Sequence, residues 1–184
     1  MVAVDIDERV LSQSKYARNV GITPDDDRFR VVVGDATKLD FPEGSFGIVT
    51  CISTIEDIPG DGDIKAIAEF SRVLKPGGHC FVSAPCSQKY GEGTWGRWFQ
   101  RSYDYESLDA RLIRPSGLDL KEIGFLVDRN TRGYTTWIYF RLPRLTRFAT
   151  QWSQILFAKY FAEKDDADRN DAWICWLLLK EHQA

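Results

Sequence analysis

The sequence has few of the residues that build metal and redox centres. Its 184 residues include only two histidines, and its four cysteines contain no C-x-x-C pair. Zinc sites need clustered cysteine and histidine ligands, so we expect no zinc site. Cysteines scattered along predicted strands are typical of reduced, buried thiols, which favours a cytoplasmic protein.

Long apolar runs and basic blocks are also absent. The longest apolar run, residues 173–179, is far shorter than the roughly 20 residues that span a bilayer. The first residues lack the charged-then-apolar pattern of a signal peptide. The net charge of −3 and the absence of a basic cluster argue against a nucleic-acid partner. We therefore expect one globular domain without an integral membrane segment.

The first half of the chain alternates strand-like and helix-like patterns. Short β-branched or apolar runs end at acidic or small residues, and apolar residues recur at helical spacing between them. Such alternation is typical of an α/β fold in which a mostly parallel sheet is flanked by helices. Strands are predicted at residues 2–6, 29–33, 46–52 and 80–84, and helices at 7–21 and 64–74.

The second half is less regular. Residues 88–102 read as a loop rich in glycine and aromatic residues, followed by a helix at 105–114 and strands at 125–129 and 172–180. Residues 142–161 have one basic and one apolar side, which predicts a helical insertion over about residues 134–171. Such a helix could cover a substrate site or lie on a membrane surface, and we favour the interpretation that it covers the substrate site.

Acidic residues end two of the predicted strands. Asp5 ends the first, and Asp35 follows the second within a Gly-Asp-Ala turn. In an open parallel sheet, ligands bind outside the carboxyl ends of the strands. One carboxylate can accept hydrogen bonds from two ribose hydroxyls and another can accept the adenine amino group, so this edge predicts a nucleoside site.

Three sequence blocks then resemble a known family. They are V-D-I-D at residues 4–7, G-D-A followed by L-D-F-P-E-G-S-F within residues 34–46, and R-V-L-K-P-G-G at residues 72–78. In this order and spacing they resemble the class I S-adenosylmethionine-dependent methyltransferases, most of all the group (type 11-like) that methylates small molecules. The match covers residues 2–86 and implies a Rossmann-like cofactor-binding half there, with residues 87–184 on the substrate side.

The resemblance implies a role for each matching position. Asp5 would hold the ribose hydroxyls of S-adenosylmethionine, and Asp35 would accept the adenine amino group. Ile6 would pack on the adenine beside the backbone of Ala36. Cys51 and Ser53 would flank the methionine end of the cofactor.

Substrate-side positions are implied less specifically. Methyl transfer is an in-line displacement that depends mainly on positioning, so the sequence predicts no obligatory catalytic base. Glu56 and Asp57 follow the third strand and could face substrate or simply form a solvated turn. Aromatic residues after the fourth strand could line a pocket or pack on the core. The candidates are Glu56, Asp57, Tyr90, Trp95 and Tyr103.

The chain also departs from the family pattern. The family's first strand and G-x-G-x-G loop would precede Val2, so the resemblance implies an N-terminally truncated domain whose activity is impaired. In the family, this first strand lies between the strands that here end at Asp5 and Cys51. Without it, those two strands either pair directly with each other or leave a seam of unpaired backbone groups. The alternative to an enzyme is a degenerate module without catalytic activity.

One motif matches a cofactor-binding pattern but lies in the wrong structural context, and we call it the glycine-rich decoy. Residues 91–96 match G-x-G-x-x-G, the pattern of a dinucleotide-binding loop. That loop must follow a strand directly and open a helix, whereas six residues separate this segment from the preceding strand. We therefore expect a flexible loop near the mouth of the site.

Overall fold

The computed structural model describes residues 1–13, 28–95, 98–128, 158–162 and 172–182. Its strands are β1 (Val2–Asp5), β2 (Arg30–Val33), β3 (Phe46–Ile52), β4 (Leu74–Pro85), β5 (Gly91–Trp95), β6 (Trp98–Ser102), β7 (Asp119–Asp128), β8 (Ala158–Ala162) and β9 (Ala172–Lys180). The helices are α1 (Gly62–Val73), α2 (Tyr105–Leu108) and α3 (Arg114–Ser116), with a π-helical turn (Asp109–Ile113) between the last two and short 3-10 helices at Glu8–Gln13 and Ile55–Asp57.

The strands form three sheets within this described part of the chain. β1 and β2 pair in parallel as a two-stranded sheet. A five-stranded sheet has the order β3-β4-β9-β7-β8, and β5 and β6 form an antiparallel hairpin. In the five-stranded sheet β3 and β4 are parallel, whereas β9 runs antiparallel to both of its neighbours. The α/β class is confirmed, and the sheet is mixed rather than mostly parallel because the strands of the second half alternate in direction.

β1 and β3 do not pair with each other. They lie in separate sheets, each hydrogen-bonded to a different partner strand, so of the two sequence-based alternatives direct pairing is wrong. β3 is thus an edge strand. Ile48 and Ile52, on one face of it, are 70% and 64% exposed.

Helix α1 follows β3 in the chain and packs between the loop after β2 and the larger sheet. Its apolar residues at spacings of three and four bury one face, including Ile67 and Phe70. On its polar side, Arg72 donates to the carbonyl oxygens of Leu39 and Phe41 at 3.0 and 2.8 Å. Glu69 holds the guanidinium of Arg72 and accepts the Leu39 N–H at 2.8 Å. These bonds fix the segment that follows Asp35.

The core lies between α1, the helices α2 and α3, and one face of the larger sheet. Alternate residues of the central strands point into it, as expected for a half-buried sheet. On β4 and β9 they include Cys80, Val82, Cys175, Leu177 and Leu179. The sequence-based expectation of buried, free thiols is confirmed for Cys51, Cys80 and Cys175, while Cys86 is partly exposed.

Several sequence-based boundaries need correction. The glycine-rich segment predicted as a loop is the β5–β6 hairpin, in which backbone pairing with β6 fixes the glycines. The predicted helix over residues 142–161 overlaps β8, where pairing with the free edge of β7 overrides the local pattern. The rest of the predicted insertion lies outside the described residues. β7 begins six residues before the predicted start at 125.

Candidate active site

The register of β1 and β2 brings Asp5 and Asp35 to the same edge. Asp5 pairs with Val33, and its carbonyl oxygen accepts the Gly34 N–H at 2.9 Å. Asp35 is the next residue, so both acidic residues follow the carboxyl ends of adjacent parallel strands. Side-chain Oδ1 of Asp5 accepts the backbone N–H of Asp7 at 2.8 Å, which orders the turn that leaves β1.

The Asp35 carboxylate is held in place by the following turn. Its Oδ1 accepts hydrogen bonds from the backbone N–H and the hydroxyl of Thr37, both at 2.8 Å. These bonds lower the pKa of Asp35, the backbone N–H contributing most. Both bonds go to Oδ1, and they do not engage Oδ2. The side chain therefore presents an ionised, oriented acceptor at this edge.

The carboxylate of Asp7 binds Arg9 through both of its oxygens. Its Oδ1 accepts the Arg9 backbone N–H at 2.9 Å at the start of the 3-10 helix, and its Oδ2 pairs with the Arg9 guanidinium. The hydrogen bonds from the Arg9 side chain and backbone lower the pKa of Asp7 to about 2. Asp7 thus caps the segment after β1, as its sequence position predicts. Ile6, between the two aspartates, is 72% exposed, and Ala36 is partly buried against the core.

The carboxyl end of β3 carries backbone strain. Ser53 has φ +47°, a left-handed conformation unusual for a residue other than glycine, and its N–H donates to Ser83 at 3.1 Å. Such strain concentrates at functional sites. Cys51 packs in the core, and burial raises the pKa of its thiol to about 12. Its side chain is therefore a packing group, and contact of Cys51 and Ser53 with a cofactor stays a prediction.

Glu56 is the unusual carboxyl of this region. It is only 3% exposed, and its Oε2 has no hydrogen-bond partner in the described part of the structure. Burial raises the pKa of Glu56 to about 7. Burial also raises the pKa of neighbouring Asp57, which is exposed at the surface. A buried carboxyl oxygen without a partner is costly, so Oε2 marks a place where a ligand or proton would be accommodated.

The aromatic candidates fall in different surroundings. Tyr103 is fully buried, and its hydroxyl donates to Asp63 at 3.0 Å, so of the two sequence-based alternatives it packs in the core rather than lining a pocket. Tyr90 is partly exposed, and its hydroxyl donates to Glu92. Trp95 ends β5, and its side chain lies outside the described residues.

A buried ionic network, which no sequence pattern predicts, connects these elements. Asp63, at the start of α1, and Arg101, on β6, both have fully buried side chains and lie 3.1 Å apart. Arg111 donates to both carboxylate oxygens of Asp63 at 2.8 Å. Arg101 also donates to the carbonyl oxygens of Ile58 and Gly60, which fixes the loop before α1. The partners are far apart in sequence, so no local motif announces them.

The glycine-rich decoy does not form a phosphate site. Its first residues lie on β5, paired antiparallel with β6, and so do not open a helix. The described residues contain no group of three or more side chains that could hold a metal ion, and no helix among them has the length and hydropathy of a membrane span.

Comparisons with known proteins show what the chain is similar to. Residues 1–82 match the family model described as "Methyltransferase domain". A segment of 81 residues is 32% identical to "Probable methyltransferase ltbC" of Aspergillus luteorubrus, covering 42% of this chain and 28% of that protein. The matching segment therefore spans less than a third of that curated relative.

Solved structures resemble the whole chain. An S-adenosylmethionine-dependent methyltransferase from Methanosarcina mazei superposes with a TM-score of 0.63 at 11% identity, covering 100% of this chain and 82% of that one. The fold is that of the class I S-adenosylmethionine-dependent methyltransferases. The resemblance predicted from the three sequence blocks is confirmed by the family-model match over residues 1–82.

A third similarity separates fold from reaction. The [4+2]-cyclase SpnF superposes with a TM-score of 0.65 at 19% identity, covering 100% of this chain and 67% of that one. A protein named for a cyclisation thus shares the methyltransferase fold. The reaction of the present methyltransferase-like chain must be argued from its own residues.

Proposed function

We propose that this chain binds S-adenosylmethionine at the carboxyl edge of β1 and β2 and transfers its methyl group to a small molecule. The observation that carries the proposal is the register that places Asp5 beside Val33, with Asp35 following β2. Asp5 would accept the ribose hydroxyls and Asp35 the adenine amino group. Ile6, exposed next to Asp5, would pack on the base.

The residues present fit the adenosine part of the cofactor better than its methionine part. Oriented carboxylates follow both strands, whereas no G-x-G-x-G segment occurs in the 184 residues. At the carboxyl end of β3, the unpartnered Oε2 of Glu56 is the polar atom that a donor from cofactor or substrate would satisfy. We therefore expect this chain to bind the cofactor weakly, with a Kd above about 1 μM.

When bound, S-adenosylmethionine supplies a methyl group on a good leaving group. The chain's own residues contribute by orienting the bound molecules and by excluding water from the site. Asp35, ionised and fixed by Thr37, holds its acceptor direction before a ligand arrives, which lowers the cost of ordering it. The loop from Ile58 to Gly60, which follows the carboxyl end of β3, is fixed by Arg101.

A second candidate is a methyltransferase-like module that binds the nucleoside without methyl transfer. These 184 residues contain no G-x-G-x-G segment, and a protein named for a cyclisation is among the similar structures; both observations favour this candidate. Formation of S-adenosylhomocysteine from S-adenosylmethionine in the presence of an acceptor mixture separates the two, because only the enzyme produces it.

The proposal is tested by comparing Asp5→Ala with Asp7→Ala in calorimetric titrations with S-adenosylhomocysteine. Losing a charged acceptor should cost roughly 1.5–3 kcal/mol per hydrogen bond before water compensates, so Asp5→Ala should weaken binding tenfold or more. Asp7 caps the next segment, so Asp7→Ala should mainly lower stability, by about 1 kcal/mol. If Asp7→Ala loses the affinity while Asp5→Ala keeps it, the ribose assignment is wrong.

A further inference from the structure

A cavity of about 600 Å³ opens between the end of β4 and the β5–β6 hairpin. Pro85 and Cys86 at the end of β4 form one wall, and Glu92 on β5 and Arg101 on β6 belong to the other. Small-molecule sites are typically clefts of ~300–1,000 Å³, with few polar groups that fix orientation. The cavity has this size, and only two of the residues that line it are charged, Glu92 and Arg101.

Arg101 does not offer its charge to a ligand. Its side chain is fully buried, and each of its three guanidinium nitrogens already donates a hydrogen bond. Nη1 and Nη2 donate to the carbonyl oxygens of Ile58 and Gly60, and Nη1 also lies 3.1 Å from Asp63. Nε donates to the hydroxyl of Tyr90 and to Glu92. An anionic ligand would therefore find no free guanidinium here.

Glu92, unlike Arg101, has an exposed side chain. Its side chain is 41% exposed, and its Oε1 accepts hydrogen bonds from the Tyr90 hydroxyl and from Nε of Arg101, the latter at 3.1 Å. The Tyr90 hydroxyl, followed by Arg101, holds the pKa of Glu92 below its ordinary value. The carboxylate is thus ionised at neutral pH and fixed through one oxygen. Neither of these bonds engages Oε2.

We propose that this cavity binds a small organic cation, whose ammonium group is recognised by the carboxylate of Glu92. Charge-assisted hydrogen bonds to an oriented carboxylate are stronger than neutral ones, and Tyr90 and Arg101 orient it in advance. Given the proposed methyl transfer, the occupant is the methyl acceptor. Its ammonium group is the handle that Glu92 holds, and a separate uncharged atom of the same molecule supplies the lone pair that takes the methyl group as the S–CH3 bond breaks, and then loses its proton to solvent. The cation site itself depends on Glu92 alone and not on the cofactor.

The experiment uses n-butylammonium and the neutral 1-butanol as probes, titrated without cofactor into isotope-labelled protein and followed by NMR. The wild type should bind n-butylammonium at least tenfold more tightly than 1-butanol, with shifts at amides of residues 91–94 and 99–102. Glu92→Gln keeps the carbonyl acceptor for Tyr90 and removes the charge. It should weaken n-butylammonium binding at least tenfold and leave 1-butanol binding unchanged.

Glu106→Gln is the matched control, since Glu106 is exposed on α2 and does not line the cavity. It should leave both affinities unchanged. Equal binding of n-butylammonium by Glu92→Gln and wild type would overturn the proposal, as would equal wild-type affinities for the two probes. Because these titrations contain no cofactor, a negative result would say nothing against the nucleoside site of β1 and β2. Conversely, failure of the nucleoside site in the cofactor titration would say nothing against the cation site.

Discussion

Replacing Asp63 with alanine should lower the free energy of unfolding by about 3–5 kcal/mol. Removing one partner of a buried ion pair leaves an uncompensated charge, and that loss is far larger than the net value of the pair. Asp63 is fully buried between Arg101 and Arg111 and accepts the Tyr103 hydroxyl at 3.0 Å. Its loss would leave the buried Arg101 without its closest buried counter-charge.

Asp61→Ala is the matched control for this experiment. Asp61 lies two residues earlier, contacts the same Arg111 at 3.3 Å and has a side chain that is 72% exposed. Exposed ion pairs contribute about 0–1 kcal/mol, so this variant should remain close to wild type in urea unfolding. A loss below about 1 kcal/mol for Asp63→Ala would show that the network does not bear on stability.

Glu56→Gln should stabilise the protein, and the gain should grow between pH 4.5 and pH 7.5. The unfolded pKa of a glutamate is ~4.3, whereas burial raises the folded pKa of Glu56 to about 7. The native state therefore binds the proton more tightly, and stability falls as pH rises through this window. One pKa unit corresponds to about 1.4 kcal/mol, so the difference should reach the order of 2–4 kcal/mol.

Urea unfolding of wild type and variant across this pH range measures the effect. Asp7→Asn provides a control that should not depend on pH in this range. The folded pKa of Asp7 is lowered to about 2 and the unfolded value is ~3.9, so the contribution of Asp7 to stability is fully present above pH 4.5 and is lost only as pH falls below the unfolded value. A Glu56→Gln difference that stays constant with pH would mean that Glu56 is ionised in the native protein and has found a partner.

The sequence predicted well what depends on local pattern. Turn signals around residues 42–45 and 59–62 bound the strand that became β3, and residues 172–180 were predicted as a strand with the bounds of β9. Asp5 and Asp35 were found because acidic residues at the ends of parallel strands share an edge. In each case the signal lies within a few residues of the structure that it predicts.

The rest depends on contacts between distant segments. Asp63 and Arg111 approach only after α1 and the π-helical turn pack together, and no spacing in the sequence encodes that contact. β8 has a helical pattern, and the free edge of β7 decides its conformation. The β5–β6 hairpin does have a local sequence signal. Gly-X is a favoured two-residue hairpin loop, and a Gly-Arg pair at residues 96–97 lies between two tryptophans in the sequence.

The central claim is that the carboxyl edge of β1 and β2 holds the nucleoside of S-adenosylmethionine. An NMR titration of the isotope-labelled chain with S-adenosylhomocysteine tests it most directly, because weak binding is still mapped residue by residue. We predict saturable shifts at the amides of residues 5–7 and 34–37, where Asp5 and Asp35 follow their strands. Saturable shifts confined to other segments, or none at millimolar ligand, would contradict the account.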